Sequence, residues 1–232
     1  MISIENLSKN YGTKSVLGDI SVKFEPGKVY GIVGKNGAGK TTFFECLTGL
    51  VNCKGRIKYP TANYTGRIGY LQTNPLFLSK ITGKEYLSLL SRARNITPAD
   101  LEHQNIFDLP LSKYAETYST GMKKKLALTG LLVQKNDFFI LDEPFNGVDL
   151  ESNFLITEII LRLKALQKTV LVSSHIFATL ENTCDIIHIL EKGQISYPIP
   201  KEEFEGLTQV FNQEQIDQKL SKLEMFGAGS ST

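Results

Sequence analysis

The residues Gly34-Lys35-Asn36-Gly37-Ala38-Gly39-Lys40-Thr41 match the pattern G-x-x-x-x-G-K-[ST] at every fixed position, and Thr42 continues the run. Glycines at this spacing let a backbone wrap a polyphosphate, so that successive N–H groups point inward and a helix N-terminus adds a favourable dipole. Lys40 then reaches the β- and γ-phosphates and the Thr41 hydroxyl coordinates Mg²⁺. About a hundred residues further on, an apolar run ends in two carboxylates, Phe138-Phe139-Ile140-Leu141-Asp142-Glu143. Taken alone, such a run is equally well a strand leaving the core into solvent. Downstream of Lys40 and Thr41 it supplies what a triphosphatase still lacks. Asp142 holds the metal through its hydration shell, and Glu143 polarises the attacking water as general base.

These groups need rigid elements behind them. Lys28-Val29-Tyr30-Gly31-Ile32-Val33 is a short apolar strand feeding the glycine loop, and a helix-like stretch through Thr42-Phe43-Phe44-Glu45-Cys46-Leu47 follows it, which is the context the loop requires. Upstream, the alternation of Ile2/Ile4 and of Ile20/Val22/Phe24 predicts strands, closed by a Glu25-Pro26-Gly27 turn. Further strands are predicted at residues 55–59 and 67–71. From Thr82 the period becomes helical, with Thr82 and Glu85 forming a capping box. A second helix is predicted over 119–133, joined to the first by a polar segment around Asn95-Ile96-Thr97-Pro98. Buried strands at 137–141, 169–173 and 185–190, with an amphipathic helix over 150–166, restore strand–helix alternation. Residues 213–226 make at best a marginal surface helix, and 227–232 a disordered tail.

The chain has 232 residues, enough to bury a full-sized core, and 26 basic residues against 24 acidic ones give a net charge of +2. That balance makes no electrostatic case for a nucleic-acid partner. Cys46, Cys53 and Cys184 form no C-x-x-C pair, as expected of reduced cytosolic thiols. The N-terminus lacks the architecture of a secretion signal, and no apolar stretch approaches the roughly 18 residues of a membrane span.

The order of these elements resembles the ATP-binding subunit of an ABC transporter, from residue 1 to about 200. Tyr11, in Lys9-Asn10-Tyr11-Gly12, matches the aromatic that stacks on adenine. Gln72 matches the glutamine that senses Mg²⁺ and the membrane partner. Ser119-Thr120-Gly121-Met122 matches the signature element, which binds the γ-phosphate of the nucleotide held by the opposite subunit. Asn146-Gly147-Val148-Asp149 matches the loop that crosses the dimer interface, and His175 the histidine at the γ-phosphate. The signature departs from the commonest form, L-S-G-G-Q, but keeps Ser119 and Gly121; its form Y-S-x-G-M-K-K-K looks like that of exporters. Lys123-Lys124-Lys125 reads as a solvated helix face adding positive potential near phosphate.

The resemblance implies an α/β P-loop NTPase core of ABC ATPase type with an antiparallel β subdomain and a helical subdomain at about 73–133, the ATPase domain spanning 1–210 and a polar extension 211–232. It implies ATP and Mg²⁺ as ligands and a head-to-tail dimer with a second copy or a paralogous ATPase subunit. It implies also a separate transmembrane permease subunit, no nucleic acid, and a cytoplasmic location at the membrane face. Around Pro75, Leu76 and Phe77 the chain is either an apolar contact for that permease or subdomain core. Two other classes remain: a soluble ABC ATPase acting on ribosomes or nucleic acid, whose usual second cassette or coiled-coil insertion is not seen, and a non-hydrolysing regulatory subunit, which predicts damage at Lys40, Glu143 or His175.

Overall fold

The structure is a computed structural model and describes residues 1–60, 64–97, 100–175 and 177–204. Along the chain run β1 (Ile2–Tyr11), β2 (Lys14–Phe24), β3 (Val29–Val33), α1 (Lys40–Thr48), β4 (Lys54–Lys58), β5 (Ile68–Leu71), α2 (Gly83–Ala93) and α3 (Thr120–Val133). They are followed by β6 (Phe138–Asp142), α4 (Leu150–Ala165), β7 (Thr169–Ser174), α5 (Ala178–Glu181), β8 (Ile186–Glu191), β9 (Gln194–Ile195) and β10 (Ile199–Pro200).

The strands form two sheets. One is antiparallel, in the order β2-β1-β4; the other runs β10-β8-β3-β7-β6-β5, with β9 paired to β8. From β8 to β5 every pairing is parallel. Strands covered on both faces need apolar side chains at every position, and β3 and β6 are buried throughout. Along β6 the side chains alternate between two cores. Phe138 and Ile140 face the antiparallel sheet and α1, in a core with Leu17, Phe24 and Phe43. Phe139 and Leu141 face the other way, in a core with Leu126 and Ile160 from α3 and α4.

Within the described residues the predicted strands and helices are present; most ends differ by a residue or two, while β1 and β2 run well beyond the alternating positions that predicted them. The helical subdomain differs in its middle. Between α2 and α3, described residues 94–97 and 100–119 carry turns, an isolated β-bridge from Tyr114 to Thr82 and one short 3-10 helix, Ala115–Thr117. This connection is no plain polar linker: it buries Leu101, Phe107, Leu109, Leu111 and Tyr118 in the core that α3 covers. Around Pro75 the segment divides between core and surface. Phe77 packs on the core, edge-on to Tyr86 at 4.8 Å between ring centroids, whereas Leu76 is 86% exposed and Leu78 66%. Cys46 and Cys184 are buried, Cys53 is partly so, and all three thiols are free. The expectations for Pro98, for 213–226 and for the tail fall outside the described residues.

Candidate active site

All the strands of the parallel array that carry site residues end on the same side, so their carboxyl ends converge, which is where open α/β sheets bind ligands. At the end of β3 the chain turns at Gly34 with no room to spare: a Cβ there would lie 2.5 Å from the Leu190 carbonyl oxygen. Gly37 and Gly39 adopt left-handed backbone angles, φ 82° and 108°, which L side chains disfavour. The first bond from loop to helix is Phe43 N–H to the Gly39 carbonyl at 2.8 Å. The opening N–H groups of α1 therefore have no intrahelical acceptor and face the loop. A turn of amides closing on a helix N-terminus is an anion cradle.

The side chains around this cradle are tied into one network. Lys40 is buried; its Nζ donates to the Gly34 carbonyl at 2.6 Å and lies 3.4 Å from Glu143 Oε1. Asp142 is fully buried and accepts three hydroxyls: Thr41 Oγ1 at 2.7 Å and Thr73 Oγ1 at 2.8 Å on Oδ2, and Ser173 Oγ at 2.5 Å on Oδ1. Ser173 Oγ in turn accepts the Glu143 N–H at 2.9 Å. The Glu143 carboxylate meets His175 Nδ1 at 3.0 Å through its other oxygen. Glu143 itself has φ 52°, an uncommon conformation for a non-glycine residue that the surrounding bonds must maintain.

These groups line a cleft of about 1150 Å³, a volume suited to a nucleotide. Gly34, Lys35, Asn36, Gly37, Ala38, Gly39, Lys40, Thr41 and Thr42 line it, as do Asp142, Glu143 and His175. Lys14, Val16, Thr73, Asn146 and the turn of Lys192 and Gly193 are also part of its wall. The oxygens of Thr41, Thr73 and Asp142 are hard donors, the set that suits a Mg²⁺ ion shared with phosphate. Among the described residues no group of three or more His, Cys, Asp or Glu side chains could hold a metal by itself.

Other expected site residues lie elsewhere. Gln72 does not line the cleft; the next residue, Thr73, does, and it is Thr73 that bonds to Asp142. Tyr11, at the end of β1, is half exposed and outside the lining, with the Lys9 ammonium 4.7 Å over its ring. Ser119, Thr120, Gly121, Met122 and Asp149 are also outside it. Ser119 caps α3 by accepting the Met122 N–H at 3.3 Å. A Cβ on Gly121 would lie 2.6 Å from the Gly147 carbonyl oxygen, so this glycine serves close packing on the 146–148 loop of its own chain. Asp149 caps α4 and pairs with Lys125 at 2.8 Å. The Lys125 ammonium, with the Ser152 N–H and hydroxyl, holds its carboxyl well below the usual carboxylate range.

The reading of the lysine run is corrected at Lys124. Lys124 is among the largest fully buried side chains, not part of a solvated face. Burial penalises its charged form and lowers its pKa from the ordinary lysine value. Thr73, Ser173 and Lys124 escaped the sequence reading. The signals that would have found them are position just after the strand flanking the acidic strand for Thr73, position near the carboxyl end of its other neighbour for Ser173, and helical phase for Lys124.

Residues 17–146 match the family model described as ABC transporter. The chain belongs to that family. Its relatives include the lantibiotic transport ATP-binding protein SrtF of Streptococcus pyogenes, 28% identical, covering 94% of this chain and 99% of that protein. The bacitracin transport ATP-binding protein BcrA of Enterococcus faecalis is 31% identical over 84% of this chain and 68% of its own length. Among solved structures, one described as the ATP binding subunit of an ABC transporter superposes with a TM-score of 0.76 at 26% identity, covering 93% and 94% of the two chains. The P-loop fold of an ABC ATPase and the family's activity, ATP hydrolysis in transporters, come with this membership.

Proposed function

We propose that this ABC ATPase hydrolyses MgATP at the cleft above β3 and β6, between two copies or paralogues arranged head to tail, and so powers a separate transmembrane permease. The observation that carries it is the Glu143 carboxylate, held between Lys40 at 3.4 Å and His175 at 3.0 Å beside an Asp142 already bonded to Thr41. A triphosphate in the 34–42 cradle draws the Lys40 ammonium onto the β- and γ-phosphates, because phosphate competes with a carbonyl and a carboxylate for the same cation. Glu143 is thereby released to accept the proton of the attacking water, with His175 orienting it and contacting the γ-phosphate. Thr41 and Asp142, with Gln72 or Thr73, would hold Mg²⁺, which neutralises charge on the phosphates. Tyr11 would stack on adenine at the open end of the cleft.

Ser119, Thr120, Gly121 and Met122 belong, in this reading, to the partner's nucleotide, with Asp149 at the dimer interface. Their position outside the cleft of their own chain supports that division. The permease contact includes the exposed Leu76 and Leu78. Among the described residues no helix is long and apolar enough to cross a membrane; in this reading the transport path belongs to the permease. The peripheral location at the cytoplasmic membrane face follows from that partnership. The direction is export, supported by the signature form and by relatives whose names record lantibiotic and bacitracin transport.

Replacing Glu143 by Gln tests the base assignment. The variant should bind MgATP, stop turning over, and accumulate as an ATP-bound dimer in size-exclusion chromatography. Parental turnover in Glu143→Gln would remove Glu143 from the chemistry.

A further inference from the structure

A lysine that nothing in the phosphate-binding scheme uses is buried beside the catalytic segment. Lys124, on α3, is 1% exposed. Its Nζ donates to the Glu143 carbonyl at 2.7 Å and to the Asn146 carbonyl at 2.8 Å. Among the described residues it makes no salt bridge; the charges that favour its ammonium are those of Glu143 and Asp142, acting at longer range. An ammonium is expensive to desolvate, and a methionine or leucine would fill the same space without that cost. Packing alone does not explain a lysine here.

What the ammonium holds explains it. Glu143 sits at φ 52°, so its peptide needs partners on both sides. On one side its N–H is taken by Ser173 Oγ at 2.9 Å. On the other, its carbonyl accepts the Lys124 ammonium at 2.7 Å and the Asn146 N–H at 3.2 Å. Remove Lys124 and one clamp of that peptide is left to a single, long hydrogen bond. The direction in which the Glu143 carboxylate leaves the backbone depends on both clamps.

We propose that Lys124 is a positioning residue for hydrolysis: from the signature helix it fixes the Glu143 peptide and so aims the Glu143 carboxylate at the water. The inference rests on the reading of Glu143 as general base. It makes the first turns of α3 more than a phosphate contact, since the helix that carries Ser119 also sets the geometry of the base in its own chain.

The test is steady-state MgATP hydrolysis by the full chain carrying Lys124→Met, with the melting temperature and the affinity for a fluorescent ATP analogue measured on the same protein. Lys124→Met keeps the buried stem and removes the ammonium. Turnover should fall about a hundredfold, the loss that a displacement of about 1 Å at a catalytic group produces. KM and analogue affinity should stay within about threefold of the parent, because no phosphate contact is removed. In a Glu143→Gln background Lys124→Met should change residual turnover by less than about twofold, since both substitutions act through one carboxylate. Lys124→Gln, which keeps a donor without the charge, is measured in parallel. Parental turnover in Lys124→Met, a loss of turnover matched by the loss of affinity, or failure of both variants to fold each overturns the proposal in favour of a packing role. A parental rate in Glu143→Gln instead defeats the base assignment. Full additivity of the two substitutions shows that Lys124 does not act through Glu143.

Discussion

Ser173→Ala removes one hydroxyl that serves two buried groups, and its cost can be worked from the structure. Ser173 Oγ accepts the Glu143 N–H at 2.9 Å and donates to Asp142 Oδ1 at 2.5 Å, with Ser173 and Asp142 both fully buried. Without it, a buried N–H loses its acceptor, a penalty of about 1–3 kcal/mol. Asp142 loses one of its three hydroxyl donors, and a hydrogen bond to a charged group contributes about 1.5–3 kcal/mol. Both losses come from the same atom and overlap, so a net destabilisation of about 3 kcal/mol is expected. At about 2–4 °C per kcal/mol for a chain of this size, the melting temperature should drop by about 6–12 °C. The assay is thermal unfolding followed by circular dichroism, with MgATP turnover measured at a temperature where the variant is fully folded. Turnover should also fall, because one of the two clamps on the Glu143 peptide is gone. A melting temperature within about 2 °C of the parent would refute the reasoning, since it would mean these bonds are replaced at no cost.

Lys40→Ala should weaken ATP binding by at least about a hundredfold, measured by titration with a fluorescent analogue, because it removes the buried cation at the head of the phosphate cradle. Gly121→Ala forces a Cβ against the Gly147 carbonyl oxygen. Overpacking of that kind should cost about 1–3 kcal/mol in urea unfolding and lower turnover, while leaving ATP affinity of the isolated chain intact. Asp149 has a folded pKa below its unfolded one, so its contribution to stability is present at neutral pH, begins to fade below about pH 4 and disappears as pH falls through the folded value. Unfolding midpoints of the parent and of Asp149→Asn should therefore converge as the solution is acidified, and parallel curves would count against the Lys125 pairing. A chain with Ser119→Arg should bind ATP yet not hydrolyse it, and mixing it with Lys40→Ala should restore part of the turnover by assembling one intact site.

The parallel strands were legible because burial on both faces favours unbroken apolar runs, as in Val29–Val33 and, up to its terminal Asp142, in Phe138–Asp142. Caps were legible too: the Thr82–Glu85 box is present with both its bonds. The connection between α2 and α3 was not, because Leu101, Phe107, Leu109 and Leu111 enter the core from turns and follow neither a helical nor a strand period. Thr73 and Ser173 were hidden for another reason. Ser173 meets Asp142 only because β6 and β7 pair in a register that sets the two side by side, and Thr73 follows the strand that flanks β6 on its other edge. Lys124 was hidden by its charge. A lysine between two lysines reads as surface, and only the phase of α3 against the loop after β6 turns it inward.

The contacts of α3 with the segment after β6 fall within one stretch of chain. Lys124 reaches residues 143 and 146, Gly121 abuts Gly147, and Lys125 reaches Asp149 and Ser152. Residues 119–152 thus behave as a self-consistent block whose loops and helices already fit each other. In recombination between relatives such a block can be exchanged whole, whereas a crossover inside it would pair a helix from one parent with a loop from the other. Chimeras of this chain should accordingly tolerate junctions in the turns before Ser119 and within the solvent-facing part of α4, and fail when the junction falls between Lys125 and Glu143.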